Sequence, residues 1–138
     1  MAELEELKNA VRDSTELWKK GQGREALKLL DELIAKSKQE NLDVWVKVLA
    51  LHASTLSHSV GDLDSAKRYS EQVLAYEPEN ALALFKVADI LLQQGRADEA
   101  KEYAAKSYAL AIASDTKEGQ GLAELLTRKW PEIGESRV

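Results

Sequence analysis

Between Val44 and Leu56, and again between Ala81 and Leu92, apolar residues recur every three or four positions, the spacing that keeps one face of a helix apolar. No long alternation of Val, Ile and Thr interrupts this pattern. Ala, Leu, Glu and Lys, which lose little on entering a helix, dominate the chain, and it has only two Pro and seven Gly. The pattern predicts an all-α protein with seven helices, at about 3–20, 24–40, 43–59, 63–76, 80–94, 97–113 and 115–129. Asp43 and Asn80 stand where an N-cap acceptor is needed. Gly21, Gly61 and Gly95 stand just past helical runs, where a left-handed C-cap favours a residue without Cβ.

The glycines also mark a repeat. Gly61-Asp62-Leu63-Asp64-Ser65-Ala66-Lys67-Arg68-Tyr69 and Gly95-Arg96-Ala97-Asp98-Glu99-Ala100-Lys101-Glu102-Tyr103 agree at Gly, Asp, Ala, Lys and Tyr, and their glycines are 34 positions apart by the numbering. A weaker copy starts at Gly21, 40 positions before Gly61, so an insertion lies between them. A fixed period of this length implies stacked helical hairpins. The units fall at about 3–41, 43–79 and 80–113, within one domain over 1–138. Because a stack of hairpins exposes an apolar face at its end, the helix at about 115–129 reads as a cap. It should stop before Trp130-Pro131, since the residue preceding Pro is driven out of the α region. Residues 130–138 are then a tail, loose from Ile133 on, with Trp130 a candidate to fold back over the end of the core.

This phrase resembles the tetratricopeptide repeat family, whose unit closes its first helix near a Gly, opens the second with Ala, carries aromatics further along it and often ends in Pro. Repeat 2 has Gly61, Ala66, Tyr69 and Pro78; repeat 3 has Ala88, Gly95, Ala100 and Tyr103, with Ile112 where Pro would fall. Repeat 1 has Ser14, Gly21, Ala26, Leu30 and Leu33. The resemblance covers 43–111 most fully and 5–41 less so. It implies a solenoid whose first helices line a groove for partners. With Gly set at the fifteenth position of the unit, the resemblance puts Lys8, Val11, Thr15, Trp18 and Lys19 in that groove. Val48, Leu51, Thr55, His58 and Ser59 follow from repeat 2, and Leu82, Phe85, Asp89, Leu92 and Gln93 from repeat 3.

Charge and composition narrow the partner. A net charge of −5 and a pI near 5.2 argue against nucleic acid, whose phosphates call for a basic face. No apolar run reaches membrane-spanning length or follows a basic leader. The absence of Cys removes disulfide and thiol chemistry and suits the cytoplasm.

Catalytic or metal chemistry finds no constellation. His52 and His58 are six positions apart and turn away from each other on a helix. His58-Ser59 lacks an orienting acid, and Gly21-Gln22-Gly23 lacks the strand and Lys-Ser/Thr of a phosphate loop. Gly119-Gln120-Gly121 reads as a weak first turn. No catalytic, cofactor-binding or metal-ligating residue is expected.

The groove residues are left as the candidate site. Val11, Trp18, Val48, Leu51, Leu82, Phe85 and Leu92 form an apolar strip edged by polar side chains, and such strips mark binding surfaces. The family members that clamp a carboxylate terminus use Lys, Asn and Arg where this chain has Val11, Thr15, Leu51 and Thr55, with only Lys86 matching. The expected ligand is therefore an apolar or amphipathic segment of another protein, with Trp18 and Phe85 as the leading anchors. The alternative is a homodimer or assembly subunit that buries the same strip, and a terminal segment folded over it is the remaining option. Protonation of a groove-facing His58, near its ordinary pKa of about 6.5, would weaken an apolar ligand.

Overall fold

The computed structural model describes residues 2–135. Among these the chain forms eight helices: α1 (Ala2–Lys19), α2 (Gly23–Gln39), α3 (Asp43–Ser59), α4 (Leu63–Tyr76), α5 (Ala81–Gln93), α6 (Ala97–Ala113), α7 (Lys117–Lys129) and α8 (Pro131–Glu135). They divide into two compact units, Met1–Tyr76 with α1–α4 and Glu77–Val138 with α5–α8. In the first, α1 packs on α2, α2 on α3 and α3 on α4; in the second, α5 packs on α6, α6 on α7, and α8 on α7 and α6.

Gly21, Gly61 and Gly95 adopt φ of 80°, 83° and 80° at the ends of α1, α3 and α5. At each, the glycine's own amide and the next one bond back to the last turn, as in Gly21 N–H to the Trp18 carbonyl (3.0 Å) and Gln22 N–H to the Leu17 carbonyl (2.9 Å), the Schellman closure. Asn41, at φ 57°, closes α2 in the same way through its own N–H to Lys38 and that of Leu42 to Ser37. Asn tolerates this conformation better than other residues with a Cβ. The extra residues between Gly21 and Gly61 are absorbed as helix: α2 and α3 have 17 residues each, against 14 in α4 and 13 in α5.

Asn80 caps α5, its side chain accepting from Ala83 N–H at 2.9 Å. Asp43 is not a cap. It is the first residue of α3, and Leu42 precedes it with no side-chain cap bond, so its carboxylate acts only on the positive end of the helix. Nor does the last long helix start at Asp115: that residue has φ 52°, and Thr116 caps α7 by accepting from Gly119 N–H at 3.0 Å.

Within each hairpin the helices meet through small residues. Ala50, Ala53, Ser54 and Ser57 of α3 are buried with Ala66, Ser70 and Val73 of α4, and Leu84, Val87, Ala88 and Leu91 of α5 with Ala100 and Ala104 of α6. Leu74 of α4 and Tyr108 of α6 are half-buried. The Ser54 hydroxyl sits 2.8 Å from the Ala66 carbonyl and 2.7 Å from the Ser70 hydroxyl. Close approach of two backbones is what Ala and Ser allow, and the serine bonds offset the burial of their own oxygens.

The second unit ends on a feature the sequence reading treated as loose. Pro131 opens α8, where its missing N–H is not needed, and Trp130 and Ile133 are only 4% and 5% exposed. These two side chains close the apolar end of the unit, in place of a tail. Residues 136–138 lie outside the described residues.

Candidate interaction surface

The first helix of each hairpin carries the expected groove positions. In the first unit, Val48 is 43% exposed and Val44, one turn before it, 66%. Leu51 is half-buried and Thr55 is exposed, its hydroxyl donating to the Leu51 carbonyl at 3.1 Å. Val44, Val48, Leu51 and Thr55 follow helical spacing and so share one stripe of α3. Val44 was missed because the repeat unit, counted back from Gly61 at its fifteenth position, begins only after it.

On α1, Val11, Thr15 and Trp18 are half-buried. Trp18 lies at the turn end, its Cδ1 4.0 Å from where a Cβ on Gly23 would stand, with Val60 Cγ1 3.8 Å from the same point. It packs on the turn more than it projects as an anchor.

Thr15 is tied to α3. Its hydroxyl donates to the Val11 carbonyl at 3.0 Å and lies 3.1 Å from His52 Nε2. A hydroxyl has one proton to give, so with that proton on Val11 the second contact has His52 Nε2–H donating to Thr15. Burial lowers the His52 pKa from its ordinary 6.5 by penalising the charged ring. Sequence reasoning had used His52 only to reject a metal site; a contact spanning 37 positions has no local signal. His58, the histidine that was singled out, is half-buried, and the neighbouring Ser59 hydroxyl donates to the Leu56 carbonyl at 2.7 Å.

In the second unit, Leu82 and Leu92 are 44% and 36% exposed and Phe85 is half-buried. Asp89 receives Lys129 Nζ of α7 at 2.6 Å, so this expected ligand-facing acid is paired with a cation of its own chain. Lys86, one turn before it on the same face, has its pKa lowered by burial, with the Asp89 charge working in the opposite direction. The Lys129 partner, 40 positions away, was not foreseen.

Leu82 also opens on a cleft of about 260 Å³, shared with Leu110 and Ala111 at the end of α6 and Glu118, Gly119 and Leu122 at the start of α7. A second hollow, about 520 Å³, lies at the turns of the first unit among Gly21, Arg24, Leu27, Val60 and Asp62. Among the described residues no group of three or more His, Asp or Glu is placed to hold a metal ion. No helix among them is long and apolar enough to cross a membrane.

Helical hairpins of this form, repeated with their turns capped by glycine, define a helical-repeat protein. The family model of the tetratricopeptide repeat matches residues 58–113, from the end of α3 to the end of α6, so that segment is similar to the repeats of this family. The fold agrees over most of its length. It is similar to the C-terminal TPR-containing domain of a protein of Plasmodium falciparum described as an FK506-binding protein, at 20% identity and a TM-score of 0.61, covering 94% of this chain and 91% of that one. No curated protein sequence matches the chain. Repeats of this class serve in general as protein–protein interaction modules.

Proposed function

We propose that the chain is a non-enzymatic adaptor of the cytoplasm that binds an apolar or amphipathic segment of a partner protein along the exposed faces of its first helices. The observation that supports this most is the exposure of large aliphatic side chains there: Val44 and Val48 on α3, Leu82 and Leu92 on α5. Scattered apolar residues are normal on a surface, but a helical stripe of them is a docking face. Phe85, half-buried beside Leu82, keeps its role as an anchor in this reading. Trp18 is a supporting wall.

The test compares proteins retained from a lysate by the intact chain and by a Val48→Glu/Leu82→Glu variant, with circular dichroism confirming equal helicity. Both side chains are exposed, so the variant keeps its fold. Retention by the intact chain alone supports the proposal. Equal retention contradicts it, and a mass by light scattering that rises with concentration and falls back in the variant assigns the face to self-assembly instead.

A further inference from the structure

The cleft beside Leu82 carries a narrower reading, which rests on the interaction function proposed above. Its geometry is built. Thr116 caps α7 through Gly119 N–H, and a Cβ on Gly119 would run into Ser114 Oγ and the Ala111 carbonyl. The first turn of α7 therefore lies directly on the last turn of α6, which brings Leu122 to the same hollow as Leu110 and Leu82. Three leucines from three helices meet there.

Size and charge limit what fits. A cleft of about 260 Å³ falls below the ~300–1,000 Å³ of sites that engulf a small-molecule ligand, and suits a side chain presented by another chain. Of the nine residues that line it, Glu118 is the one that carries a charge. A carboxylate beside an apolar floor favours an approaching cation and repels an anion.

We infer that this cleft seats one large aliphatic or aromatic side chain of a partner segment that carries Lys or Arg beside that anchor. The anchor displaces water from the leucines, and the flanking cation meets Glu118. The acid also sets specificity, because a segment with Asp or Glu beside the same anchor meets like charge.

Synthetic helical peptides with one Leu, Phe or Trp flanked by Lys test this against the full chain, alongside matched peptides with flanking Glu and with the anchor changed to Ala. Binding is followed by fluorescence anisotropy and by methyl shifts in NMR. The Lys-flanked peptide should move the methyls of Leu82, Leu110 and Leu122. Changing its anchor to Ala should weaken binding by about tenfold or more, and Glu118→Lys, an exposed substitution, by about threefold to tenfold with a flatter salt dependence.

Three results overturn the inference. Shifts confined to Val44, Val48 and Leu51, indifferent to Glu118→Lys, leave the general interaction function standing and empty the cleft of its role. No binding by any of the peptides, in a chain that still loses a natural partner on Val48→Glu, does the same. Cleft shifts that grow with protein concentration alone assign the site to a second copy of the chain.

Discussion

The Tyr69 hydroxyl of α4 donates to the Asp31 carboxylate of α2 at 2.6 Å, bridging two helices that are not partners in one hairpin. The residue is 2% exposed, and its guanidinium neighbour Arg68 sits 5.3 Å from the ring centroid. Burial first, and then the bond to Asp31, push the Tyr69 pKa up from 10.0 to about 12. The protonated phenol is thus the form the fold favours. Its contribution to stability is complete below pH 10 and disappears as the pH rises toward about 12. Tyr69→Phe should lower stability by about 1 kcal/mol, the net worth of one hydrogen bond, and flatten the loss of stability between pH 10 and 12. Chemical denaturation across that range measures both.

His52 gives the opposite sign. Its depressed pKa means that the folded state favours the neutral ring, so the stabilisation is present above 6.5 and is lost as the pH falls through the lowered folded value. His52→Gln, which keeps a donor for Thr15 without a titrating ring, should remove that part of the acid sensitivity. With the Thr15 hydroxyl donating to the Val11 carbonyl, nitrogen shifts in NMR at neutral pH should show the proton on Nε2.

The buried serines divide into two groups. Ser54 bonds the Ala66 carbonyl and Ser70, whereas the hydroxyl oxygens of Ser37 and Ser57 are buried without a partner. Ser54→Ala should destabilise by about 1 kcal/mol. Ser37→Ala and Ser57→Ala should be neutral or stabilising, because each removes an unsatisfied polar atom and substitutes a better helix former. Thermal melts of the three variants side by side decide this.

How much of this was legible depended on distance along the chain. Gly21, Gly61 and Gly95 were readable because only one residue type is at ease past a helix end, and the 34-residue spacing between two of them exposed the hairpins. Asn41 and Asp115 do the same work with side chains that also occur on any surface, and so went unread. The α8 helix is too short to show periodicity, and Pro131 reads as a stop as easily as a start. The outward placing of Val48 and Leu82 was implied by the family resemblance, counted from Gly61 and Gly95. The ties of Thr15 to His52 and Asp89 to Lys129 did not, because contacts between distant helices leave no local pattern. For the same reason the cleft at Leu82, assembled from three helices, could not be read from any one of them.

Two glycines of one helix make a paired prediction. Gly119 is buried against Ser114 and the Ala111 carbonyl, while Gly121 faces open space. Gly119→Ala should cost about 1–3 kcal/mol, as overpacking does, because the turn must open. Gly121→Ala should stabilise by about 0.5–1 kcal/mol through helix propensity. Equal effects in urea titrations would mean that α7 is not seated on α6 as described.

The most direct measurement of the central claim is hydrogen–deuterium exchange on the intact chain, alone and with the partner it retains from a lysate. Slowed exchange in α3 and α5, around Val44–Thr55 and Leu82–Leu92, is the predicted result, since these carry the exposed aliphatic stripes. Protection confined to the second helices, α2, α4 and α6, would contradict it and place the partner on those helices instead.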